Sequence, residues 1–100
     1  DIKMLLSEII FRVKNKNDEE KKYDEIKNDI QNEGVENAAL IHSISNSSSS
    51  GGKIGWIDKN SLNKIASNAL LNLKIGEYSK PILTASGFLI LKINDIKKNG

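Results

Sequence analysis

The stretch Gly51-Gly52-Lys53-Ile54-Gly55-Trp56 divides the chain into two unlike halves. Residues before it are polar or spaced for helices; residues after it alternate turn signals with short apolar runs. Two adjacent glycines allow backbone angles and close approaches that a side chain would block. A serine-rich loop can therefore turn there directly into a strand over Lys53 to Asp58. A phosphate-binding loop is excluded, because that motif requires Ser or Thr after its lysine and here Ile54 follows Lys53.

One hundred residues, 38% of them hydrophobic, suffice for one small domain with a modest margin of stability. A single domain over residues 1–100 is expected, with its core at about 5–96. Fifteen basic residues against 13 acidic ones leave a net charge of +2, too weak a field to favour nucleic acid or an anionic membrane as partner. The absence of cysteine excludes disulfides and thiolate chemistry, and the single histidine, His42, cannot supply the usual zinc or copper ligand set. No metal or cofactor is expected. No apolar run approaches the roughly 20 residues that cross a bilayer, so direct membrane insertion is not expected either. The chain opens at Asp1 without a basic-then-apolar leader and reads as a domain excised from a longer protein.

Met4 to Val13 is short and β-rich and predicts a strand, with Ser7, Ile9, Phe11 and Val13 on a core face and Glu8, Ile10 and Arg12 opposite. Asn17 followed by Asp18, Glu19 and Glu20 predicts a capped helix start, with Glu20 reaching back. Tyr23, Ile26 and Ile30 supply its apolar stripe, and Gly34 its end. A second short helix from Val35 to about His42 offers Val35, Ala38, Ala39 and Ile41 to the core. Ser43 to Gly52 predicts a mobile loop. Beyond the Lys53 to Asp58 strand, Asp58 or Asn60 can cap a helix carrying Leu62, Ile65, Ala66, Ala69, Leu70 and Leu73, ended by Gly76. Tyr78 to Thr84, with the only proline, predicts an edge strand. Phe88 to Ile93 is apolar on both faces and belongs in mid-sheet; Lys97 to Gly100 reads as a frayed end. The fold class is α+β, in the order β-α-α-β-α-β-β, with a mostly antiparallel four-stranded sheet covered by helices.

The Gly51 to Trp56 stretch, the helix with Ala69 and Leu70, Gly76-Glu77, Pro81, Thr84, Ser86-Gly87 and Ile90 together resemble parvulin-type peptidyl-prolyl isomerases (rotamases). The likeness runs from about Leu5 to Ile96. The opening Leu6-Ser7-Glu8-Ile9 is similar in particular to the parvulin domains of SurA-like periplasmic chaperones, which assist outer-membrane proteins. Such enzymes speed rotation about the bond before proline, whose barrier arises from partial double-bond character of the amide. No covalent step is needed: the site buries the ring and removes water from an amide that is less polar when twisted.

Carried over by position, the resemblance implies two histidines and a Cys or Asp beneath the proline. Those places hold Glu8, Ser45 and Leu89 here, so all three differ from the family pattern. The pocket phenylalanine falls on Ala66, the Met or Leu on Leu62, the glutamine on Asn63 and the apolar residue of the Gly-Gly strand on Ile54; Thr84 and Ser86 keep their hydroxyls. Alanine for an aromatic removes apolar surface that would grip proline, a contact worth about 1–3 kcal/mol when fully desolvated. Arg12, Lys14 and Lys16 are interspersed with asparagine and aspartate, so phosphopeptide recognition is not inferred. His42 lies outside the cluster and reads as a helix-end residue, and Trp56 as packing.

The expectation is a parvulin-fold domain of a SurA-like chaperone, periplasmic by resemblance. It would bind unfolded or extended polypeptide, outer-membrane precursors included, with its isomerase activity weak or lost. Its substrate-binding groove would comprise Ile54, Leu62, Asn63, Ala66, Thr84, Ser86 and Leu89, with Glu8 beside them and Ser43 to Ser50 as a lid. Its other partners would be further domains of its own chain. Two alternatives stand beside this reading: an active isomerase working by desolvation, and a structural domain that binds no client.

Overall fold

The computed structural model describes residues 1–99. Its elements are β1 (Ile2–Phe11), α1 (Glu19–Glu33), α2 (Val35–His42), β2 (Lys53–Asp58), α3 (Lys64–Leu70), β3 (Ile82–Thr84) and β4 (Gly87–Lys98). The sheet is antiparallel throughout and ordered β2-β1-β4-β3, which puts the two most apolar strands in the middle and the proline-flanked β3 at an edge. This is the expected α+β order.

β1 and β4 pair along most of their length, with Ile9 opposite Ile90 and Phe11 opposite Phe88, whose rings stack at 5.5 Å. These residues form one core with Ile26 of α1 and Ala38 and Ala39 of α2. On the opposite face Met4, Leu6, Leu91 and Ile93 meet Ala66 and Leu70 of α3. The sequence reads Phe88 to Ile93 as apolar on both faces, but for β1 it places the core on the Ser7, Ile9, Phe11, Val13 face alone. That is half of it, because α3 covers the alternate face as well and each strand is buried on both sides. Burying one Leu or Ile side chain fully is worth about 1.5–3 kcal/mol, so the second face is a large share of the driving force.

Several boundaries differ from the sequence reading for local reasons. β1 starts at Ile2 and stops at Phe11, where the partner strand begins at Gly87. α1 follows a 3₁₀ turn over Lys16–Asp18, and neither Asn17 nor Asp18 makes the expected side-chain cap. Gly34 ends α1 at φ +88°, its N–H donating to the Ile30 carbonyl oxygen. Ile41 is 60% exposed rather than core, since α2 turns only Val35, Ala38 and Ala39 inward. α3 is shorter than its apolar spacing implies. Asp58 caps a 3₁₀ turn at Lys59–Ser61, and Asn63 then caps α3 by accepting from the Ala66 N–H at 2.8 Å. Leu62 and Leu73 therefore pack on the core from outside the helix, and Gly76 lies beyond its end in a turn, at φ +92°. The Tyr78 to Thr84 strand contracts to β3, with Tyr78 a lone bridge to Lys92. β4 instead extends to Lys98, paired with Ile2, where a frayed end is expected; Gly100 lies outside the described residues.

Candidate functional site

The predicted mobile loop is a folded element. Asn46–Ser50 forms a 3₁₀ turn, capped at one end by Ser45 and closed at the other by Gly51 in the left-handed region. Its two ends are tied to β1: the Ile44 N–H donates to the Ile10 carbonyl and the Glu8 N–H donates to the Gly52 carbonyl, both at 2.8 Å. The Ser43 hydroxyl adds a contact by accepting from the Ile10 N–H at 3.0 Å. The loop thus lies along the sheet edge just before β2 begins, and it hangs its serines over one strand residue, Glu8.

The hydroxyls of Ser45 (2.5 Å) and Ser47 (2.8 Å) both donate to Oε2 of Glu8. Glu8 and Ser45, two of the three positions onto which the sequence resemblance carries the polar cluster, are therefore hydrogen-bonded to each other. The third, Leu89, lies on the same sheet face. Glu8 pairs with Leu91 and Ile10 with Leu89, which makes Glu8 and Leu89 diagonal neighbours roughly 7–8 Å apart. Ser47 enters the sequence reading only within the Ser43 to Ser50 lid, not as a member of this cluster. Its only signal was membership of a serine run, which composition treats as unstructured.

Asn63, Ala66, Thr84 and Leu89 line one cleft of about 320 Å³ between α3 and β3, together with Ile65, Ile82, Leu83 and Ala85. Ile65 and Leu83 stand on its rim, 61% and 69% exposed, while Ala66 at 7% forms part of its floor. No charged residue lines it. Thr84 holds the turn beside it, donating to the Gly87 carbonyl and accepting from the Ser86 N–H. Three other groove candidates stand apart. Ile54 packs with the Leu6 and Ala66 core cluster, and Leu62 lines a separate hollow with Met4 and Leu70. Ser86 is exposed on the turn, where its carbonyl accepts from Arg12 Nε at 3.0 Å.

A larger cleft, about 590 Å³, opens on the other side of the sheet beside the start of α2, and none of the predicted site residues lines it. His42 is occupied between the helices: its Nδ1 accepts from Lys22 Nζ at 3.2 Å, so Nε2 carries the proton donated to Asp29. Trp56 is 43% exposed with Lys97 Nζ 5.2 Å from its ring centre, and so is only partly packing. Among the described residues no group of three His, Cys, Asp or Glu could hold a metal ion.

A four-stranded antiparallel sheet with this helix order, and a cleft between α3 and the β3–β4 turn, defines the parvulin fold. The chain belongs to the family described as rotamase, PPIC-type PPIase domain, whose sequence profile matches residues 5–95. It is 38% identical over 52 residues to the foldase protein PrsA of Geobacillus kaustophilus (strain HTA426), covering 52% of this chain and 18% of that protein. It is similar to the crystal structure of PrsA from Bacillus subtilis, with 29% identity and a TM-score of 0.76, covering 93% of this chain and 35% of that one. The fold is shared at 21% identity and a TM-score of 0.77 with a structure from work on PEB4 and the periplasmic protein Cj1289, two SurA-like chaperones of Campylobacter jejuni. That match covers 96% of this chain and 39% of the other. The chain thus spans well under half the length of these relatives.

Proposed function

We propose that this domain binds extended polypeptide in the cleft between α3 and β3, as one part of a longer extracytoplasmic foldase or chaperone, with isomerase activity weak or lost. The observation that carries the reading is the cleft itself: Asn63, Ala66, Thr84 and Leu89 converge on it, while its rim offers exposed Ile65 and Leu83 to a client. Such an apolar, open trough suits side chains of an unfolded chain. By the resemblance, the family's two imidazoles fall on Glu8 and Leu89, so the cluster beneath the prolyl bond becomes a carboxylate held by serine hydroxyls. The PrsA likeness supports a foldase role. The periplasmic setting and outer-membrane clients rest on the SurA-like resemblance and complete the proposal.

The test is two-dimensional NMR exchange on an Ala-Pro peptide, with amide shifts of the domain followed in the same tube. Slow cis/trans exchange, roughly tens to hundreds of seconds, together with shifts at Ile65, Ala66 and Leu89, supports a binding module. Exchange accelerated to fractions of a second sinks the claim of weak or lost activity. Silence in both signals sinks polypeptide binding and leaves a structural role.

A further inference from the structure

Glu8 is a part-buried carboxylate. Among the described residues it forms no ion pair, and both of its hydrogen bonds, from Ser45 and Ser47, fall on Oε2. Oε1 has no hydrogen-bond partner among them. The cation nearest in sequence on the same strand face, Arg12, lies four residues on, about 13 Å along a strand, and its Nε is engaged by the Ser86 carbonyl. The cleft beside Glu8 is lined only by neutral groups. Glu8 thus brings a negative charge next to a trough whose own lining is uncharged, while the Arg12 guanidinium is held at the Ser86 turn. A carboxylate oxygen left without a donor can take a charge-assisted hydrogen bond from a cationic group of a bound chain.

We infer that Glu8, oriented by Ser45 and Ser47, selects clients with a lysine or arginine adjacent to the residue seated in the cleft. The inference rests on the polypeptide-binding reading and names the substrate class of that site. Two hydroxyls on one oxygen fix the carboxylate plane and leave the other oxygen for an ammonium or guanidinium donor. Glu8 and Leu89 are diagonal neighbours on one face, so the carboxylate stands beside a residue that lines the trough. A basic side chain next to an apolar or prolyl residue in the trough can reach across that span.

The probes are three capped peptides, Ala-Lys-Pro-Leu, Ala-Gln-Pro-Leu and Ala-Glu-Pro-Leu, titrated into the 100-residue chain while amide shifts at Ile65, Leu83 and Leu89 are read. The lysine peptide is expected to bind about fivefold more tightly than the glutamine one, with the glutamate peptide weakest. That preference should shrink at high ionic strength and vanish in Glu8→Gln. Equal affinities for all three peptides on the unmodified chain overturn the selectivity while leaving polypeptide binding intact. A lysine preference that survives in folded Glu8→Gln overturns the assignment to this residue. No shift with any peptide overturns both readings. The comparison of peptides needs no variant, so it decides even if Glu8→Gln does not fold.

Discussion

The carbonyl of Gly52 accepts the Glu8 backbone N–H at 2.8 Å, and a Cβ placed on Gly52 would stand 2.4 Å from the Glu8 carbonyl oxygen. The contact pins the serine turn to β1 and sets Ser45 and Ser47 over the Glu8 side chain. It requires glycine twice, once for space and once for φ of +81°. Gly52→Ala is expected to cost about 2–4 kcal/mol, measured by urea unfolding. Gly55→Ala, with an open site at φ +85°, should cost about 1 kcal/mol. Equal losses at the two positions would show that the close approach to Glu8 is unimportant.

Asn63 begins α3 by accepting the Ala66 N–H, and it also lines the cleft. Removing the cap in Asn63→Ala should lower stability by about 1 kcal/mol, whereas Asn63→Asp should retain it. Chemical denaturation of both variants distinguishes capping from a role confined to the cleft, which would leave stability unchanged in both.

Ile65 is on the rim, outside the buried clusters. Ile65→Ser should change stability by no more than about 0.5 kcal/mol yet weaken peptide binding several-fold. Leu6→Ala, in the fully buried centre beneath α3, should instead cost about 2–5 kcal/mol. Peptide titration and thermal unfolding of the pair separate the client surface from the core; unaltered peptide affinity in Ile65→Ser would place the client elsewhere.

Tyr23 has a raised pKa, first because burial disfavours the phenolate and then because Tyr78 and Asp24 lie near. Its hydroxyl donates to the Ser79 carbonyl at 3.2 Å. A folded-state pKa above the unfolded value of about 10 means the unfolded chain ionises first. The stabilisation is therefore complete below about pH 10 and is lost as pH rises through the folded pKa. Tyr23→Phe should be about 1 kcal/mol less stable at neutral pH, through the lost hydrogen bond, but should decline less steeply at alkaline pH. Unfolding curves from pH 8 to 11 that run parallel for the two proteins would contradict this.

The element order, the central apolar strands, the edge placement of the proline segment and the Gly51-Gly52 turn were legible in the chain. Each follows from a local rule: alternation, helical spacing, or the freedom of glycine. The alternate face of β1 was not, because burial of Met4 and Leu6 depends on α3 returning to cover them, a contact between residues distant in sequence. For the same reason Asp58 and Leu62 misled the start of α3. Apolar spacing at three and four continues past both ends of the helix, and only packing decides where the hydrogen-bonded turns stop. The site divides likewise. Residue types at Glu8, Ser45 and Leu89 could be read directly, and so could the absence of histidine from all three. That Ser47 joins Ser45 on Glu8 while Leu62 faces another hollow was decided by the backbone hydrogen bonds that join Gly52 and Ile44 to β1 and by the orientation of α3. Those are tertiary constraints, since they join residues that no local spacing relates.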